Sequence, residues 1–146
     1  IAAVQGHAVG AGFQLALATD LLVVGDDAQL AMREPSLGLV PDLGGTALLV
    51  AAVGYGRALE ICATGRWVHA DEAVSLGLAQ LAVPSDSLAG TVDDLVAALV
   101  ATPAGAVSAT KRLLAGAPSR SREEQLAAER GEQVGRLSDM LRRMTT

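Results

Sequence analysis

A chain of 146 residues with 51 % hydrophobic and 18 % charged side chains is long enough for one domain with a real core. Its net charge of −5 and thinly spread arginines, without a basic aromatic stripe, argue against a nucleic-acid partner. One cysteine, Cys62, excludes an internal disulfide framework and fits a reducing compartment, so the expected location is cytoplasmic.

Residues 1–5 read as an apolar strand that opens without lead-in, as from the middle of a fold. "GHAVGAG" reads as a glycine-rich turn into a short helix, "FQLALATD", ended near Asp20. In "LLVVG" four apolar residues in a row suit a strand covered on both faces. Gly25, Asp26 and Asp27 make a turn, and Gln29–Met32 a further short strand. Beyond the loop "REPSLGLVPDLGGT", one helix runs over "ALLVAAVG" and another, "GRALEICATG", closes at Gly65. This quick alternation is the α/β pattern.

Further on, "DEAVSLGL" is a short helix stopped at Gly77, and "AQLAV" a short strand ended by Pro84. Residues 87–101 fit an amphipathic helix. Thr102 is expected to cap the next, with Pro103 at its first position and Gly116 at its end. Ser121 and Glu124 form a capping-box pattern for a last helix towards Met144. Residues 8–24 are apolar, but Gln14 and Asp20 interrupt them, which argues against a membrane span. No basic-then-apolar leader opens the chain. Aromatics make up only 2 %, so Ala, Val and Leu do the packing; the apolar surface this leaves leans toward oligomerisation.

Three places can carry chemistry. Gly6, Gly10 and Gly12 shape a turn whose backbone N–H groups can face a ligand, with Ala11 N–H the best-placed oxyanion donor; the same glycines serve a tight strand-to-helix turn. Glu34 and Asp42 stand eight residues apart in an otherwise apolar loop. A carboxylate in such company must find partners or take up protons, both routes to chemistry. Glu34 equally reads as a solvated loop acid paired with Arg33, and Asp42 as the cap of the following helix. His7, His69 and Cys62 combine at no metal-ligand spacing, so no metal is expected.

Together "IAAVQGHAVGAGFQLALATDLLVV", "AQLAMREPSLGLVPDLGGT", "GRALEICATGRWVHADEAVSLGLAQLAVP" and "TKRLL" resemble the crotonase superfamily, the enoyl-CoA hydratases and isomerases. The blocks match the C-terminal half of that family in order and spacing. The resemblance implies an α/β fold of crotonase-like ββα spiral units followed by a helical region. Residues 1–100 would belong to the α/β core and 101–146 to a trimerisation region. It also implies an acyl-CoA thioester substrate, an enolate held by backbone N–H groups, a homotrimer or dimer of trimers, and no cofactor beyond the coenzyme A of the substrate.

Residue by residue, Ala11 N–H matches the second oxyanion donor; the first lies in the family upstream of this segment. The hydratases' two water-holding glutamates fall on Gln14 and Glu34, and a Gln neither accepts nor releases a proton at neutral pH. Family isomerases that move double bonds in dienoyl-CoA carry acids matching Glu34 and Asp42. The favoured expectation is therefore isomerisation of an unsaturated acyl-CoA by Glu34 and Asp42. The alternatives are a hydratase in which Gln14 positions water, and a truncated, non-catalytic homologue. Family dehalogenases use an Asp matching Asp42 but pair it with a Trp where Glu34 stands. His7, Gly10, Arg33 and Leu37 match substrate-binding positions, His69 a helix-start cap, and Cys62 the core. Lys111, Arg112, Arg142 and Arg143 read either as contacts to coenzyme A phosphates or as a solvated helix face.

Overall fold

The computed structural model describes residues 1–144, apart from the side chain of Arg143. In chain order it contains β1 (Ala2–Val4), β2 (His7–Val9), α1 (Ala11–Leu17), β3 (Leu22–Gly25), β4 (Gln29–Ala31) and a 3-10 turn at Glu34–Leu37. There follow α2 (Gly45–Thr64), β5 (Val68–His69), α3 (Ala70–Ser75), β6 (Leu81–Val83), α4 (Leu88–Ala101), α5 (Ala104–Gly116) and α6 (Arg122–Met144). The architecture is α/β, as expected.

A repeated ββα unit organises the first part. β1 and β3 pair in parallel, Ala2 opposite Leu22, and β6 flanks β3 on its other side. β2 and β4 pair in parallel in a second sheet, where β5 runs antiparallel to β4. Each unit thus sends its first strand to one sheet and its second to the other before a helix closes it. Gly6, at φ 66°, makes the corner between β1 and β2.

The apolar run "LLVVG" is the buried strand it promised to be, with Val23 and Val24 at 0 % exposure. Phe13, Leu30, Met32, Leu49, Ile61 and Val68 complete the core. Two strands went unread in the sequence. β2 lies within the "GHAVGAG" stretch, where only its central Ala8 is buried, too short a signal for alternation to show. β5 has two residues.

α2 is broken at Gly54 (φ 75°, ψ 163°), which reproduces the two separate helices of the sequence reading. By length and composition it is apolar enough to cross a membrane. The break, however, leaves two segments, each about half of the ~20 residues a span needs. Leu48, Val50, Tyr55 and Leu59 stand exposed along it. Its far end is held by charge: Arg66 donates to both oxygens of Glu72 (2.7 and 2.8 Å) and also to Glu60. That guanidinium keeps the carboxyls of Glu60 and Glu72 below their ordinary range.

The chain divides into two compact units, Ile1–Asp94 and the remainder from Leu95. In the second, Arg112 donates to Glu132 at 2.9 and 3.1 Å across α5 and α6, and Arg142 pairs with Asp139. Two of the cations considered for phosphates are therefore already paired. The Arg143 side chain lies outside the described residues. Ser121 and Glu124 form the expected capping box, at 2.7 and 3.2 Å. Thr102 does not cap α5. Its hydroxyl donates back to Ala98 O (3.3 Å), closing α4, and Pro103 occupies the cap position itself. His69 stands at the cap of α3 without a side-chain bond to it.

Candidate active site

Gly10 sits at φ 52°, ψ −115°, a conformation that glycine takes at far lower cost than any other residue, and its N–H donates to Ala31 O at 2.8 Å. That bond ties the start of α1 to the end of β4. The first-turn amides of Ala11 and Gly12 have no intrahelical acceptor and stand at the exposed opening of the helix.

One turn on, Gln14 is 1 % exposed and bonded through both the oxygen and the nitrogen of its amide. Its Oε1 accepts from the N–H groups of Leu43 (2.9 Å) and Gly45 (3.2 Å). Its Nε2 donates to Glu34 Oε1 at 2.6 Å, a short, charge-assisted bond. The amide has one orientation, because the flipped form would aim an NH2 at two N–H donors. Glycines clear the space. A Cβ on Gly45 would lie 2.5 Å from Gln14 Cγ, and one on Gly10 would lie 3.1 Å from Glu34 Oε1.

Glu34 opens the 3-10 turn, half-buried, with Pro35 behind it. Its second oxygen, Oε2, is buried and has no hydrogen-bond partner among the described residues. Leaving such an atom unpaired costs about 1–3 kcal/mol, so a native orphan calls for an explanation. The Cys62 thiol feels the same carboxylate: burial first, and then the charge of Glu34, push it above the ordinary thiol range.

Asp42, Arg33, His7 and Leu37, also expected at the site, make no side-chain hydrogen bond to this pair among the described residues. Asp42 is exposed, its side chain bonded to nothing among the described residues, and the cap of α2 is Gly44 rather than Asp42. The loop's apolar character does not bury Asp42, because Leu37, Leu39, Val40 and Leu43 are themselves exposed. Nor does Arg33 pair with Glu34. Its Nη1 donates to Gly65 O (2.7 Å) and its guanidinium lies 5.8 Å from the Trp67 ring centre. His7, exposed on β2, meets the same ring edge-on at 5.4 Å. Trp67 thus gathers Arg33 and His7, a role the sequence reading missed; the chain's only tryptophan beside the Gly65 turn was the available signal. Leu37 is 75 % exposed.

Among the described residues no cluster of His, Cys, Asp and Glu could hold a metal. A cavity of about 150 Å³ lies at the C-terminal end of α1, lined by Leu17, Thr19, Leu48 and Gln80 among others, and it contains none of the site residues above. The chemistry available at Glu34 is proton transfer: one oxygen is fixed and the other buried without a partner among the described residues, beside a turn whose first amides have no intrahelical acceptor.

The chain is similar to known proteins along nearly its whole length. The enoyl-CoA hydratase/isomerase family pattern matches residues 1–141. The chain is 34 % identical over 141 residues to the 1,2-epoxyphenylacetyl-CoA isomerase of Escherichia coli K12, covering 95 % of this chain and 54 % of that one. It is 36 % identical to the carnitinyl-CoA dehydratase of Proteus mirabilis over 85 % of this chain and 48 % of the relative. An enoyl-CoA hydratase-like protein from Thermobifida fusca YX, solved in complex with acetoacetyl-CoA, superimposes with a TM-score of 0.92 at 51 % identity, over 94 % of this chain and 54 % of that one. The chain therefore spans about half the length of these relatives, or less.

Proposed function

The chain belongs to the enoyl-CoA hydratase/isomerase family of the crotonase superfamily, and from that premise we propose that it moves the double bond of an unsaturated acyl-CoA through a thioester enolate. The observation that carries this reading is the buried, unpartnered Oε2 of Glu34. Its fixed position and missing partner suit that oxygen to accept a proton that substrate would bring.

In the proposed step Glu34 Oε2 removes the proton next to the thioester carbonyl, and the C–H electron pair moves into an enolate. Ala11 N–H donates to the thioester oxygen as it becomes negative. The enolate then takes a proton at the far carbon of the former double bond, and the thioester carbonyl returns. Asp42 supplies that second proton from the exposed end of the loop, where an acyl chain running along Leu37 would meet it. Solvent then takes the proton from Glu34 and returns one to Asp42, so the substrate keeps its mass, both acids are restored, and no water or cofactor is consumed. The proposed substrate contacts are His7, Gly10, Arg33 and Leu37. The proposed assembly is a homotrimer or dimer of trimers, supported by the exposed apolar side chains of α2 and α6, and the proposed location is cytoplasmic.

Hydration is the second reading, favoured by the hydratase names among the relatives. The bonding of Gln14 weighs against it. Both acceptor positions of Oε1 are taken by Leu43 and Gly45 N–H, so Gln14 has nothing left to accept a proton from an attacking water.

The test is separate incubation of the full-length protein with 2-enoyl-, 3-enoyl- and 3,5-dienoyl-CoA, read by mass and absorbance. A shifted double bond at constant mass is expected. Gain of one water on the 2-enoyl substrate would establish the hydratase instead, and no change with any substrate would favour a non-catalytic homologue.

A further inference from the structure

We propose that Gln14 is a positioning residue for Glu34: a neutral clip between the acid and the entrance of α2. Three hydrogen bonds meet at its one amide. Two backbone donors, Leu43 N–H and Gly45 N–H, fix Oε1, and the Nε2 thereby forced to face Glu34 grips Oε1 of the carboxylate at 2.6 Å. Held at one oxygen, Glu34 keeps the other in one place, the buried Oε2 that has no partner among the described residues. The fit is tight on both sides. Gly45 leaves no room for a Cβ beside Gln14, and Gly10 almost none beside Glu34.

The clip has an electrical consequence. An amide N–H stabilises the ionised carboxylate without adding a charge of its own. A glutamate at this position would keep its contact with Leu43 and Gly45 N–H but turn an oxygen towards Glu34 Oε1 across the same short gap. Two carboxylates that close share a proton and titrate as a pair. Gln14 therefore keeps Glu34 a single acid–base group, where a second carboxylate would make a coupled dyad. The clip also joins the acid to the exposed apolar loop, since Leu43, whose amide anchors Gln14, is half-exposed at its rim.

This inference rests on Glu34 as the acid–base group, but its test needs no turnover. The Glu34 carboxyl, 13C-labelled in the full-length protein, is titrated by NMR in the wild type, Gln14→Glu and Gln14→Met. In Gln14→Glu the first proton uptake by the pair should move up by about one pH unit or more. In Gln14→Met, which loses the N–H donor to Glu34 together with the acceptor of Leu43 and Gly45 N–H, the Glu34 midpoint should move up by less. The same midpoint in all three proteins would overturn the clip. If Gln14→Met does not fold, Gln14→Glu, nearly identical in shape, still decides. On a turned-over substrate, Gln14→Met should lower kcat about 10-fold or more with KM within about 2-fold, the mark of lost positioning rather than lost binding. Absence of turnover in the wild type would remove the proposed reaction while the titration still decides the clip.

Discussion

Glu34, at the head of the loop that leads into α2, is gripped by Gln14 at 2.6 Å and keeps a buried oxygen without a partner. Asp42, near the tail of the same loop, is exposed and bonded to nothing among the described residues. The first acid is held at one oxygen with the other buried, and the second faces water, so the two are suited to different tasks. A held carboxylate is a base with a direction. An exposed one can deliver a proton, but so can the solvent beside it.

Substitution at each end is the plainest way to break that contrast. Glu34→Gln should lower isomerisation by a factor of about 10² to 10⁴, the usual loss of one acid–base group, measured as kcat on a 3-enoyl-CoA. Gly45→Ala comes next. Its Cβ would meet Gln14 Cγ at 2.5 Å, so the side chain must leave its place. We expect a stability loss of about 1–3 kcal/mol in denaturant unfolding, accompanied by a fall in kcat larger than the unfolded fraction explains. Asp42→Asn should cost less than about 10-fold, because water replaces an exposed acid. A loss equal to that of Glu34→Gln would abolish the distinction between the two ends.

The smallest expected effect concerns the frame that carries the gripped end. Arg66 holds the carboxyls of Glu60 and Glu72 below the 4.5 of an unperturbed glutamate. Groups with a lowered folded pKa add stability that is fully present above the unfolded value and is lost as pH falls through the folded one. Tm should therefore sag as pH drops below about 4.5, and Arg66→Met should flatten that part of the curve while leaving activity at neutral pH nearly unchanged.

Patterns carried by several residues were legible from the chain alone. The four-residue apolar run became the buried β3, the glycine at position 54 separated two helical segments, and Ser121 with Glu124 formed the expected capping box. β2 and β5 escaped because three and two residues are too few for periodicity to register. At the site, the candidate residues were readable but their pairings were not. Arg33 next to Glu34 in sequence suggested an ion pair; the turn at Glu34 instead sends Arg33 to Gly65 O and Trp67. Gln14 lies 20 residues from Glu34 and about 30 from Leu43 and Gly45, so its three-way bonding arises only when a ββα unit closes on the next. Asp42 looked buried because its neighbours are apolar, and apolar neighbours that are themselves exposed bury nothing.

The central claim, that Glu34 alone removes the proton beside the thioester, is tested most directly by deuterium uptake at that carbon. A saturated acyl-CoA in D2O has no double bond to move, so exchange reports proton removal and enolate formation only. Wild type and Asp42→Asn should exchange at the same rate, and Glu34→Gln should exchange at no more than about a hundredth of it. Undiminished exchange in Glu34→Gln, or an Asp42→Asn rate reduced to match it, would contradict the account.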